Sequence, residues 1–387
     1  MKRFFGVEKN VFFMGLVSFF NDFSNEMIVS VFPAFFSSVL KSGAASLGLI
    51  EGVADGVSNI TKIFSGKLSD KVQKRKLLAF SGYCLSVATR PFYLLSATAG
   101  HIFGIRVVDR IGKGVREAPR DALLSLSSSA ESVGRSFGFH RAMDSLGAIL
   151  GPLAAFVILQ AFPGQFAKVF GAAFIIGVFS LFSFVFIKEV STAYRHGNVH
   201  LRLGVHTKAF KRFLLIMFVL SVANLPIALL LLRTQDLHLN PDFIPLFYLF
   251  YSVSYTLLSI KAGRLSDKVG DKPVILGGYL LIVFGYLLMI YDHTLTALAV
   301  GFFILGIGSA FTDGVQRSFA ARLTNPEERG SAYGLLNAAI GFGLLFSGIA
   351  GGLLWQHFGA VTALSVSLGL ILLALFAFGL INEKRTR

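Results

Sequence analysis

Long apolar stretches alternate with short polar or glycine-rich breaks along almost the whole chain. They predict helices near 11–39, 46–68, 77–97, 102–123, 136–160 and 165–187, then 211–232, 242–262, 273–291, 295–319, 331–355 and 359–381. A helix of roughly 20 residues crosses a bilayer. The pattern therefore reads as an all-α integral membrane protein of twelve transmembrane helices in two six-helix bundles, 1–187 and 211–387, joined by a cytoplasmic loop at 188–210. Polar residues recur inside the spans at spacings of three and four. Glu51, Asp55, Asn59 and Lys62 form such a set on the second span, Arg106, Arg110, Lys113, Glu117 and Arg120 on the fourth, and His140, Asp144, Gly147 and Gly151 on the fifth. Each set shares one helix face.

Composition narrows the class. Apolar residues make up 54% of the 387 and Asp, Glu, Lys and Arg only 15%, against about 25% charged in soluble domains. A soluble enzyme, a disordered tail and a cytosolic DNA-binding protein are excluded. The net charge of +15 is split among alternate loops, in groups such as Lys71, Lys74, Arg75 and Lys76, whereas the opposite loops offer only Lys41, Lys168 and Arg233. By the positive-inside rule both termini are cytoplasmic, in a cytoplasmic (inner) membrane. Basic residues spread in this way set topology and do not form a nucleic-acid surface. The single Cys84 allows no internal disulfide. The first span carries Asn21, Asp22, Asn25 and Glu26 and lacks a small-residue cleavage site, so it is expected to be retained.

The sequence also repeats. GKLSDKV at 66–72 returns as GRLSDKV at 263–269, an offset of 263 − 66 = 197. Gly134, Phe137 and Gly138 return as Gly330, Tyr333 and Gly334, an offset of 330 − 134 = 196. Two echoes at nearly one offset indicate two homologous halves, a transporter device in which solute binds between the halves and rocking alternates access.

With these motifs the chain resembles the major facilitator superfamily over essentially its whole length. Gly66, Leu68, Asp70, Lys71, Lys74 and Arg75 match the family's loop motif, with Gln73 where glycine is usual; Gly263, Leu265, Asp267, Lys268, Gly270 and Lys272 match it again, with Asp271 at a basic position. The resemblance implies a cytoplasmic gate in which Asp70 latches onto the start of the eleventh span near Gly330, and Asp267 onto the start of the fifth near Gly134. A carboxylate at the positive end of a helix dipole makes that plausible; an Asp paired with its basic neighbours is the alternative. On the fourth span Arg106, Gly112 and Gly114 fit the family pattern, with Asp109 and Arg110 departing from it. On the fifth, Gly147, Gly151 and Pro152 fit a pattern commonest among antiporters, especially proton-driven exporters, although a small-residue packing face with a proline kink fits equally well.

Ionisable residues within spans mark pathways or partners. The central set is Asp22, Glu26, Asp55, Arg110, Arg141 and Asp144, with Glu51 and Arg106 nearer the outside. Lys113, Arg116, Glu117 and Arg120 read as a cytoplasmic gate or as snorkelling residues. One reading has Asp22 or Asp55 carry a proton, with Glu26, Asp144 and a His140 relay beside them, while Arg110 and Arg141 hold an anionic group bidentately. A second makes the arginines structural and gives Asp22 and Glu26 to a cationic drug or metal, and a third is a static ion-pair network. The second half offers an aromatic, mostly neutral wall from Tyr248, Tyr251, Ser252, Tyr255 and Ser259, with Asn224 beside Pro226, Asp313 and Asn337. That wall suits the ring portion of a solute, or else forms a lipid-facing or interhelical stripe. With Asn25, Glu51 and Arg106 these complete the candidate substrate contacts. His196, His200 and His206 are too loosely spaced for a metal site. The expected protein is a monomeric secondary transporter in the lipid bilayer, with no cofactor and no catalysis, exporting a small organic solute in exchange for protons. Proton symport is the rival, and a transporter-like sensor or membrane enzyme a remoter one.

Overall fold

The computed structural model describes residues 3–4, 7–128, 132–190, 207–234, 240–292, 294–325 and 328–381. The His196, His200 and His206 stretch lies outside them. A two-residue hairpin pairs Arg3–Phe4 with Val7–Glu8 antiparallel; the other elements are helical. They are α1 (Lys9–Ser38), α2 (Ala44–Val72), α3 (Arg75–Thr89), α4 (Ala99–Leu126), α5 (Val133–Ala161), α6 (Phe166–Val185), α7 (Lys208–Ala223), α8 (Ile227–Leu232), α9 (Ile244–Val269), α10 (Asp271–Tyr291), α11 (Leu295–Arg322) and α12 (Arg329–Gly379). Among the described residues, seven helical stretches are long and apolar enough to cross a membrane, and all of them begin at or after Val133.

Proline and glycine shape the departures from plain helix. The single helix expected over 211–232 is broken: Asn224 is extended (φ −86°, ψ 96°) and α8 restarts after Pro226, whose ring carries no N–H. Groups freed by the break are satisfied from neighbouring helices, since Leu225 N donates to Tyr286 Oη at 3.0 Å and Ser347 Oγ to Asn224 O at 2.8 Å. The helix expected over 77–97 stops at Thr89 and continues as a 3-10 turn, Arg90–Leu95, with Pro91 at its start. Within α12, Gly359 adopts φ 85°, a left-handed value that glycine takes without strain, and it separates two helical pieces. The side chains of Thr98 and Thr294 accept from His101 N and Ala297 N, capping α4 and α11.

Two compact units result, one of 1–41 with 57–197 and one of 42–56 with 198–387. In the first, α1 packs on α5 and α6, and α3 on α4. In the second, α7 packs on α12, and α9 and α10 on α11; the first half of α2 joins it through close backbone approach of Gly48 and Gly52 to Gly348. The repeat reappears as paired glycine crossings. A side-chain carbon on Gly82 would lie 2.6 Å from Gly112 O, and one on Gly278 would lie 3.0 Å from Gly308 O. Both partners are displaced by one offset, 278 − 82 = 308 − 112 = 196. Small residues that let backbones meet are the usual glue of membrane helices.

Gly278→Ala is therefore expected to lower the melting temperature of the detergent-solubilised protein, by an overpacking cost of roughly 1–3 kcal/mol. Gly277→Ala, where an added carbon meets nothing within 4 Å, should leave it unchanged.

Candidate functional site

The chemistry of the first unit gathers where α1 crosses α5. Gly147 and Gly151 make the crossing close: a carbon added at Gly147 would lie 2.5 Å from Phe19 O and 3.3 Å from Asp22 Cβ, and one at Gly151 2.7 Å from Glu26 Cβ. The glycine face of α5 therefore meets α1 at its two acidic residues. Each acid accepts from the asparagine preceding it, Asn21 Nδ2 to Asp22 Oδ1 at 3.1 Å and Asn25 Nδ2 to Glu26 Oε1 at 2.9 Å. From α5, the buried carboxylate of Asp144 accepts from Ser18 Oγ, and Arg141 Nη1 stands 3.6 Å from its other oxygen. The Arg141 side chain is 67% exposed, an open cation beside a buried acid. His140 is buried, and its Nε2 has no hydrogen-bond partner among the described residues. Pro152 is buried one residue beyond Gly151.

The α4 charges are further enclosed. Arg106 is 1% exposed, its guanidinium 5.0 Å from the centroid of the Phe32 ring, and Asp109 and Arg110 are buried near it. Arg116 does not snorkel: it is buried, 4.5 Å over the Tyr83 ring, and Nη1 donates to Ser86 Oγ at 2.8 Å. The Gly82–Gly112 crossing leaves the guanidinium this slot. Glu117 pairs with Lys62 across α2 and α4, and Arg120 with its neighbour Asp121. Glu51 and Asp55 belong to the second unit, so the structure does not place them in one compact body with Asp22. One basic residue absent from the sequence-derived set is Arg90, which is 2% exposed and donates through Nη2 to Asn21 Oδ1 at 2.8 Å. In sequence it falls inside the apolar span expected over 77–97.

In the second unit Tyr248, Tyr251 and Tyr255 form a ladder on α9, with ring centroids 5.9 and 6.2 Å apart and planes within 18° and 12°. Gly306 of α11 lies against the backbone of Tyr251, fixing the middle rung. Tyr255 Oη donates to Asp313 Oδ2 at 3.2 Å. Asn224 sits at the α7–α8 break, and Asn337 is half-buried on α12.

The loop motifs differ from each other. Gly66 approaches Ala118 on α4, Lys71 is exposed, and buried Arg75 donates to Gln73 Oε1 at 2.9 Å; the Asp70 side chain lies outside the described residues. In the second copy Gly263, Asp267 and Lys268 are exposed. The acid that departs from the motif, Asp271, is the buried one: it accepts from Ser266 Oγ and pairs with Arg322 Nε at 2.8 Å. Lys272 Nζ then donates to Gly379 O and Ile381 O, ending α12. Among the described residues no group of three His, Cys, Asp or Glu is arranged to hold a metal ion.

Comparison with known proteins agrees in kind. The sequence profile of the Major Facilitator Superfamily matches residues 14–215 and again 212–387. An uncharacterized MFS-type transporter of Methanocaldococcus jannaschii is 32% identical over 358 residues, covering 90% of this chain and 89% of that one. An uncharacterized protein of Mycobacterium tuberculosis is 30% identical over 136 residues, 34% of this chain and 33% of that one. Among solved structures, the nucleoside transporter NupG superposes with a TM-score of 0.79 at 17% identity, over 97% of this chain and 99% of that one. A variant of the peptide transporter POT gives 0.80 at 14%, over 98% and 95%. At these identities the likeness is one of fold.

The Asp271–Arg322 pair is asymmetric, with side-chain exposures of 0% and 48%. Arg322→Ala strands a buried carboxylate and is expected to cost on the order of 3 kcal/mol. Asp271→Ala frees an arginine that water can reach, so its cost should be smaller, and the double variant should recover part of the loss. Thermal melting of the three proteins in detergent reads the order.

Proposed function

The chain belongs to the major facilitator superfamily and is a multi-pass membrane transporter of that type, and from this premise we propose that it exports a small organic solute bearing an anionic group in exchange for protons. The observation that carries the proposal is the α1–α5 crossing, where Asp22 and Asp144 lie on facing helices and the exposed Arg141 stands beside Asp144. Asp22 carries the proton, with Glu26, Asp144 and His140 completing its surroundings; Asp55 is the alternative carrier. Arg141 is the cation open to a solute carboxylate or phosphate, which its planar fork can bind at two points. Arg106 and Arg110, being buried, set the field and the packing behind it. The tyrosine ladder with Asn224 and Asn337 is proposed to face the ring or apolar portion of the solute. That solved relatives in fold are nucleoside and peptide transporters fits a solute combining a polar group with an organic body.

The finer architecture is proposed with it: twelve spanning helices, six in each homologous half, both termini on the cytoplasmic side of the inner membrane, a monomer without a cofactor. The Asp70 and Asp267 motifs act as cytoplasmic latches and alternate access with the bound state. A second reading, export of a cationic drug or metal, is favoured by one observation. Asp22 and Glu26 stand one helical turn apart on α1, each held by an asparagine amide.

Proteoliposomes loaded with a pH-sensitive dye and screened against anionic, cationic and neutral compounds test these readings. Proton flux driven by an anionic compound is expected, reduced tenfold or more, or about 1.4 kcal/mol, in Asp22→Asn and in Arg141→Glu. If Asp22→Asn and Asp55→Asn both leave coupling intact, the proton assignment is wrong. If Arg141→Glu leaves anion flux untouched, or only cations respond, the second reading replaces the first.

A further inference from the structure

Arg90 is a buried cation with one side of its guanidinium committed and the other bare. Its Nη2 donates to Asn21 Oδ1 at 2.8 Å and to Asn21 O at 3.3 Å, whereas Nη1 has no partner among the described residues and faces Gly177 of α6. The room for it is built in, because a carbon on Gly177 would fall within bonding reach of Nη1. A side chain at 177 cannot coexist with the guanidinium in this position, the one from which it meets Asn21.

An arginine has only donors, so it fixes the orientation of the amide it meets. The Asn21 oxygen turns to Arg90, and its NH2 is left to donate to Asp22 Oδ1 at 3.1 Å. With Oδ1 held as an acceptor, Oδ2 is the oxygen free to be protonated. We propose that Arg90 is a positioning residue for Asp22, acting through Asn21 to assign proton uptake and release to Oδ2. This rests on the reading of Asp22 as the proton-carrying group. The proton adds to a lone pair of Oδ2 and leaves from it, and no other bond is made or broken. The titratable groups that reach Asp22 include Asp144 from α5, Arg116 and Lys113 from α4 and Glu26 on its own helix, together with Arg90 and Tyr83 of α3; of these, Arg90 donates to the amide that holds Oδ1.

The test needs no solute. Full-length protein in proteoliposomes is titrated while infrared difference spectra follow the stretch of protonated carboxyl groups, and the Asp22 band is the one lost in Asp22→Asn. Losing the oriented donor destabilises the carboxylate, so Arg90→Gln and Gly177→Ala should each move the band's midpoint to higher pH by roughly one pH unit. Arg90→Lys, which keeps the charge on a shorter reach, should move it less. An unchanged midpoint in Arg90→Gln and Gly177→Ala overturns the relay and leaves Asp22 as proton carrier. If Asp22→Asn removes no band, the reading beneath the relay fails instead. Gly177→Ala removes no titratable group and only displaces the Arg90 guanidinium, and with Asn21→Ser it decides the matter if Arg90→Gln does not fold.

Discussion

A charge at bilayer depth is stable only where protein supplies the dipoles and counter-charges that water would otherwise give. That constraint organises the first unit. Three of its acids are met by a donor: Asn21 on Asp22, Asn25 on Glu26, Ser18 on Asp144. Its arginines lie over aromatic faces or against fixed oxygens, Arg106 on Phe32, Arg116 on Tyr83 and Ser86, Arg90 on Asn21. Separating the helices would strip these groups of their partners, so polar satisfaction depends on the helix packing.

Glycine makes that requirement achievable. Short donors such as Asn and Ser bridge two helices only when the backbones are close. The α1–α5 approach at Gly147 and Gly151 and the α3–α4 approach at Gly82 and Gly112 provide this. In the second unit the same spacing serves other ends. Gly306 seats a tyrosine ladder, and Gly278 with Gly308 repeats the α3–α4 crossing with Thr312 at its edge. Paired glycine crossings thus support a charge-rich crossing of α1 and α5 in one unit and an aromatic ladder in the other.

Much of this was legible in sequence, because the signals were periodic. The helical character and the apolar helices from Val133 onward followed from apolar length, the repeated motif from GKLSDKV and GRLSDKV, and the polar faces of α2, α4 and α5 from spacings of three and four. What escaped depends on backbone geometry that periodicity does not encode. Arg90 lies inside the expected span 77–97 with no charged partner at helical spacing; the 3-10 turn at Pro91 and the gap over Gly177 accompany its contact with Asn21. Asp271 reads as an imperfection in a motif, and it is the motif's buried anchor. Asn224 and Pro226 lie in one apolar run, yet that run is two helices because Tyr286 and Ser347 take up the freed backbone groups.

The duplication also separates packing from chemistry. In the second unit Gly343 stands where Gly147 stands in the first, 343 − 147 = 196 positions on. A carbon there would meet Phe218 O at 2.8 Å and Ser221 Cβ at 2.5 Å, as one at Gly147 meets Phe19 O and Asp22 Cβ. The same crossing is thus built with Ser221 in the place of Asp22, and at the offset of 196 Ile340 takes the place of Asp144. A neutral version of the joint is stable within this very chain, so the acids of the first unit are not what closes it. Buried charges cost stability unless fully compensated, and here the compensation occupies Asn21, Ser18, Arg141 and Arg90 besides. The crossing therefore does not by itself account for the acids, which is why the proposed function places the proton there.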